Sequence, residues 1–186
     1  MGKDNESVET STESNVIYFR GTVNSANNGQ LEKAIDECSI EMKSVGETYG
    51  IPAPPIRLHI SSYGGNLLDA FSTIEAINRS QVPVYTYVDG YAASAATLLS
   101  IQGDKRYIGE NSYMLIHQLS GVHWGKFSEL KDDMANSKKF MKHIYRVYQE
   151  NTKLSKKQLK KMLKKDLWFN ARECLEYGLV DEILCM

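Results

Sequence analysis

Twice in close succession, this chain runs a short strand-like segment into a glycine-bearing or small-residue corner and then into an amphipathic segment. Ile56 to Ile60 alternates strictly, which predicts a strand with Ile56, Leu58 and Ile60 toward a core and Arg57 and His59 on the other face. Ser61 to Gly65 makes the corner, and Asn66 to Arg79 reads as a helix burying Leu67, Ala70, Phe71, Ile74 and Ile77. The scheme then repeats. Val84 to Val88 is β-branched and aromatic, Asp89 and Gly90 supply turn chemistry, and a run of alanines around Ser94 opens the next helix. A chain built this way folds as an α/β protein.

The flanks extend the pattern. Residues 1–15 are mostly Ser, Thr, Glu, Asp and Asn and are expected to form a flexible polar tail ahead of one domain over residues 16–186. Val16 to Val23 reads as the first strand. Asn27 to Gly29 leads into a helix from about Gln30 to Val45, with Leu31, Ala34, Ile35, Cys38 and Met42 on one face. Lys105 to Ile108 and Ser112 to His117 read as strands, and Gln118 to Gly125 as a turn-rich segment. A long helix over about 126–151 carries Phe127, Met134, Met141 and Tyr148 at heptad spacing, with Leu130 and Ile144 offset between them. That seam suits packing against another subunit or against the helix's own domain. Ser155 and Gln158 form a capping box for a short lysine-rich helix, which reads as a solvated face. Asn170 and Glu173 cap a last helix that Gly178 stops.

Composition narrows the function classes. With 186 residues, 42% of them hydrophobic, the chain can bury a core, and its net charge of −1 favours neither nucleic acid nor a strongly charged partner. Three cysteines without Cys-x-x-Cys spacing argue against a disulfide framework or a structural zinc site, and fit a reducing cytoplasm. No segment approaches the roughly 20 apolar residues of a membrane span. Gly121 to Phe127 falls one residue short of a phosphate loop and lacks the Ser or Thr after its lysine, so no nucleotide, cofactor or metal is expected.

The chemistry-bearing residues stand at element ends. Ser94 sits at a helix start, where unpaired N–H groups and the positive end of the dipole can hold an oxyanion. His117 ends an apolar strand, Asp166 follows the lysine-rich helix, and the Gly64-Gly65 corner can turn bare N–H groups into a cleft. Taken singly, each has a bland reading: a close-packed helix start, a structural histidine, a helix stop, a turn that needs glycine. Together they supply the hydroxyl, base, orienting carboxylate and donors of serine hydrolysis.

In these residues the chain resembles the proteolytic subunit of the Clp protease family. The motifs are the Ser62 to Gly65 corner, Gly90 to Ala95 around Ser94, Met114 to Gln118 around His117, and Asp166 ahead of Glu176 to Asp181. The resemblance implies the ClpP/crotonase-like fold of repeated β-β-α units, with the 126–151 helix as a projecting handle through which two heptameric rings stack. It implies Ser94 as nucleophile, His117 as general base, Asp166 as its orienting partner, and the backbone N–H groups of Gly65 and Ala95 as the oxyanion hole. An extended, unfolded polypeptide would lie beside Gly65, Asn66 and Leu67 on one side and Leu119 and Ser120 on the other, paired main chain to main chain.

The chain departs from the family pattern in three places. Tyr63 replaces a proline in the glycine corner. The polar tail stands where the family has an axial-pore segment and a short helix, so the usual gate is expected to be missing. Arg57, His59 and Arg79 occupy positions aligned with the aromatic pocket that receives an AAA+ unfoldase, and apolar side chains dock poorly against such charges. The expected activity is therefore serine endopeptidase chemistry without a standard unfoldase, as in a specialised processing enzyme such as one for virus capsid maturation. A non-catalytic ring-assembly paralogue is the reading from another class. A lysine-dependent signal-peptide-peptidase-like relative and an acyl-CoA enzyme of the crotonase type share the fold but have no need of this serine, histidine and aspartate set.

Overall fold

The computed structural model describes residues 9–185. Among them, strands β1 (Glu9–Glu13), β2 (Val16–Arg20), β3 (Ile56–Ser62), β4 (Val84–Ala93), β5 (Lys105–Gly109), β6 (Tyr113–Leu115), β7 (Trp168–Asn170) and β8 (Glu182–Leu184) form one sheet. Helices α1 (Ser25–Tyr49), α2 (Leu67–Asn78), α3 (Ala95–Ser100), α4 (Phe127–Asn151), α5 (Lys156–Met162) and α6 (Ala171–Tyr177) complete the chain. The main path of the sheet runs β1-β2-β3-β4-β5-β8 and is parallel from β2 onward. Ile17, Phe19, Ile56, Leu58, Ile60, Val84, Val88 and Ile108 are buried on one face, in a core shared with Leu31, Ile35 and Cys38 of α1 and Ile74 and Ile77 of α2. No helix among the described residues is long and apolar enough to cross a membrane.

Four details correct the sequence reading. The tail expected to stay irregular forms β1 over Glu9–Glu13, antiparallel to β2 with Glu13 opposite Val16 and Glu9 opposite Arg20. Ladder bonds to an open strand edge need no apolar side chains, so a run rich in Ser and Thr can supply them. The part of that expectation falling on residues 1–8 lies outside the described residues. Second, α1 starts at Ser25, capped by the Asn24 side chain, which accepts from the Asn27 N–H at 3.0 Å. Asn27 and Asn28, which looked like a loop, are buried inside the helix, where Asn28 Nδ2 donates to Thr73 Oγ1 at 2.7 Å and to the Asp69 carbonyl at 2.8 Å.

Third, β4 does not stop at Asp89 and Gly90. Gly90 takes φ +78, and beyond it the strand changes partners. Tyr85 to Val88 pair with β5, whereas Tyr91 to Ala93 pair with β6, opposite Tyr113 to Leu115. The β3–β4 register shifts over the same stretch. β4, β6 and β7 thus form a branch of the same sheet, a small sheet growing from the end of the main path with Ser62 of β3 still paired to Ala92. Fourth, the apolar row of α4 divides along its length. Ile144 and Tyr148 are buried in the protomer's own core and Met141 packs against it, while Phe127 and Met134 are 75% and 56% exposed. Its C-terminal half belongs to the fold and its N-terminal half projects.

Candidate active site

The small sheet brings the predicted residues together. β4 and β6 are parallel neighbours, and Ser94 follows the last residue of one as His117 follows the other by two. β7 runs antiparallel to β6 with Leu115 opposite Trp168, so the chain leaving β6 toward His117 and the chain entering β7 from Asp166 lie at the same end. Nucleophile, base and acid candidates therefore leave three adjacent strands at the same end. Main-chain bonds fix these ends: the Ser94 N–H donates to the Leu115 carbonyl at 2.9 Å and the Gln118 N–H to the Leu163 carbonyl at 2.7 Å.

Ser94 takes φ 55, ψ −127, a backbone conformation that side-chain-bearing residues rarely adopt. Such a corner thrusts the side chain out at a strand-to-helix turn. Its hydroxyl makes no capping bond to α3. Its carbonyl is held twice, by the Thr97 N–H at 3.0 Å and by Thr97 Oγ1 at 2.6 Å.

The glycine corner lies on the other side of β4. Val23 bridges to Gly65 in parallel fashion: its N–H donates to the Gly64 carbonyl at 2.9 Å and its carbonyl accepts from the Asn66 N–H at 2.8 Å. A parallel bridge of this kind engages both neighbours of Gly65 and leaves the Gly65 N–H directed away from Val23. Gly64 and Gly65 both hold positive φ, +89 and +151. Ala95, the first residue of α3, has no intrahelical acceptor for its N–H.

Gly65, Asn66, Leu67, Leu119 and Ser120, expected along the substrate, line one cleft of about 330 Å³ with Ser94, Ala95 and His117. Asn66 also caps α2, accepting from the Leu68 and Asp69 N–H groups. His117 and Asp166 both line an adjoining cleft of about 1190 Å³ bounded by α4 and the 117–121 segment. No direct hydrogen bond joins the three side chains among the described residues. Ser94 and His117 are half-buried and Asp166 is exposed. Arg57, His59 and Arg79 stand elsewhere: Arg79 pairs with Asp36, while His59 stacks on Tyr87 and contacts Asp89.

Sequence reasoning did not pick out Phe140 and Ile144 of α4 as walls of the smaller cleft, nor Thr97 and Tyr148 behind Ser94. Tyr148 was visible only as a seam position. Its actual partner lies far away in the chain and carries no local signal.

The profile of the Clp protease family matches residues 50–186. The ATP-dependent Clp protease proteolytic subunit 2 of Treponema denticola is 32% identical over 158 residues, which span 83% of this chain and 78% of that one. The proteolytic subunit of Streptococcus mutans is 33% identical over 135 residues, 69% of this chain and 68% of the relative. Subunit 1 of Chlamydia muridarum is 32% identical over 137 residues, 72% and 71% respectively. A mixed α/β fold with the glycine corner and the serine turn on neighbouring strand ends accompanies these matches, and the chain belongs to the Clp protease family of serine peptidases.

Proposed function

We propose that this chain is the proteolytic subunit of a homo-oligomeric peptidase that hydrolyses unfolded polypeptides through Ser94, His117 and Asp166. What supports it most is that β4, β6 and β7 are adjacent strands, with Ser94 and His117 just past the ends of β4 and β6 and Asp166 just ahead of β7. An extended substrate lies between the Gly65 to Leu67 edge and the Leu119-Ser120 segment. Ser94 Oγ attacks the scissile carbonyl carbon as His117 takes the hydroxyl proton, and the carbonyl oxygen becomes an oxyanion facing the N–H groups of Gly65 and Ala95. His117 returns the proton to the departing amine. Water, deprotonated by the same imidazole, then releases the acyl group from Ser94. Asp166 holds the imidazole tautomer and balances its charge. The residues tighten on substrate, as catalytic hydrogen bonds in ligand-free enzymes commonly do.

The peptidase domain, expected over residues 16–186, takes in β1 as well, and α4 is the handle on which two heptameric rings meet. Its projecting half and the preceding loop carry Trp124, Phe127 and Met134 into solvent in the isolated protomer, which supports a subunit contact there. All three thiols are free, in keeping with a cytoplasmic setting.

A second element of the reading is activity on loose chains without a standard AAA+ unfoldase. It is supported by the charged groups at the candidate docking positions. Arg79 makes two bonds to Asp36 at 2.8 and 3.1 Å, Arg57 lies over the Tyr87 ring at 5.2 Å, and His59 Nδ1 contacts Asp89 Oδ2 at 2.7 Å. A virus-capsid-type processing role would use the same chemistry on a tethered substrate. The deciding experiment is hydrolysis of a fluorogenic peptide and of casein without ATP, by wild type and Ser94→Ala at equal oligomeric size. Loss in the variant is expected; equal activity in both would overturn the assignment, and inactivity of both would favour a ring-assembly role. A Clp-type ATPase that binds tightly and accelerates casein turnover would overturn the unfoldase-independent part.

A further inference from the structure

Behind Ser94 runs a buried chain of hydroxyls that the peptidase chemistry as written does not use. Thr97 is fully buried and Tyr148, on the last turns of α4, is 2% exposed. Thr97 Oγ1 lies 2.6 Å from the Ser94 carbonyl oxygen and 2.5 Å from the Tyr148 hydroxyl. The carbonyl has no hydrogen to offer, so Thr97 donates to it. The Thr97 hydroxyl then has no hydrogen left, and Tyr148 must donate to Thr97. Burial pushes the Tyr148 phenol up from its ordinary range, so it stays protonated and remains a donor at any working pH. Ile144 and Val147, buried alongside, and the Thr152 hydroxyl bonded to the Tyr148 carbonyl at 2.6 Å keep this turn of α4 in place.

The bonds converge on one peptide group. The carbonyl of Ser94 and the N–H of Ala95 belong to the same planar amide. Hydrogen bonds to the carbonyl polarise the amide and strengthen its N–H as a donor, and hydrogen bonds in series reinforce one another. The same bonds hold the plane of that amide against the strained φ of Ser94.

We propose that Thr97 and Tyr148 are positioning residues that orient and polarise the Ser94–Ala95 peptide, so that α4 sets the strength of the oxyanion-stabilising Ala95 N–H. The inference rests on the proposed role of Ser94 and Ala95 above. Neither residue touches substrate through its hydroxyl. Their effect is confined to the state in which negative charge develops on the substrate oxygen.

The test compares Thr97→Val, Thr97→Ser and Tyr148→Phe with wild type and Ser94→Ala, all checked for equal oligomeric mass and melting temperature. Losing a whole oxyanion donor costs about 100- to 1000-fold in kcat, and weakening one should cost a fraction of that. Thr97→Val is expected to lower kcat about 10- to 30-fold and Tyr148→Phe about 3- to 10-fold, on that scale. KM should be unchanged, and affinity for a peptide boronate, which mimics the tetrahedral state, should weaken by the same factors. Thr97→Ser, which keeps the hydroxyl, should retain kcat within about 2-fold. Unchanged kcat in Thr97→Val and Tyr148→Phe, a loss that appears in KM instead, or failure of Thr97→Ser to restore activity would each overturn the proposal. Should Thr97→Val not assemble, Tyr148→Phe, which only removes an oxygen, decides alone. Full activity in Ser94→Ala would instead remove the Ser94 assignment, so the two failures are distinguishable.

Discussion

Gly64 lies directly beneath Ser94: a Cβ built on the glycine would stand 2.8 Å from the Ser94 Cβ and 2.5 Å from the Ala93 carbonyl oxygen. With φ at +89, the position is also one that other residues adopt only under strain. Gly64→Ala is therefore expected to push the corner away from the serine turn. Misplacement of a positioning group by about 1 Å costs on the order of 100-fold in rate, and a stability loss of roughly 1–3 kcal/mol should accompany it. Peptide hydrolysis and chemical denaturation measure the two, and an active, stable variant would contradict the packing.

Arg106 joins three parts of the chain. Its guanidinium bonds Asp181 through Nε at 2.9 Å and Nη2 at 2.5 Å, and also the carbonyls of Gly178 and Asn151. The hydrogen bonds from Arg106 hold the Asp181 carboxyl below its ordinary value. A carboxyl depressed in the folded state contributes stability above its unfolded value of roughly 3.9, and that contribution is lost as pH falls through the lower folded value. The stability gap between wild type and Arg106→Gln should be widest near neutral pH and narrow below about pH 4. Because the Asp181 side chain is 46% exposed, the pH-dependent part should be on the order of 1 kcal/mol or less. Urea titrations across that range test it, and a gap that widens on acidification would contradict it.

The projecting half of α4 offers a separable test of assembly. Trp124 is 95% exposed and Phe127 75% exposed, so neither supports the protomer's own core. Trp124→Ser with Phe127→Ser should leave the melting transition of the protomer within about 0.5 kcal/mol while reducing the particle mass seen by light scattering. An unchanged mass would remove this row from the subunit contact.

Thiol chemistry should follow burial. Cys38 is pushed up to about 11 and Cys174 to about 12 by desolvation, whereas Cys185 is exposed. At pH 8 a disulfide reagent should modify Cys185 in the native protein, and Cys38 and Cys174 only after denaturation. Fast native labelling of Cys174 would mean that the α6 packing opens readily.

Much of this architecture is legible in the chain because it is local. Alternation marked β3, the glycine corner and the alanine-rich serine turn marked the strand-to-helix junctions, and Ser155–Gln158 and Asn170–Glu173 marked capping boxes that form as expected. What stayed hidden is non-local. The edge pairing of β1 depends on β2 offering an open side, and the burial of Asn28 in α1 depends on Thr73 and Asp69 across the helix interface. Continuation of β4 past Gly90 depends on β6 arriving as a new neighbour. That Ser94, His117 and Asp166 flank the same end of three adjacent strands follows from strand pairing, which composition does not encode. Thr97 and Tyr148 meet only because α4 returns over α3.

The change of partner within β4 has a mechanical consequence. Ser94 and His117 leave β4 and β6 beyond Gly90, and Ser62 of β3 still pairs with Ala92 there while Gly64 packs against Ser94, so the glycine corner is carried with them. Any bend at Gly90 would therefore move the serine turn and the glycine corner as one block against the Tyr85 to Val88 half of the strand.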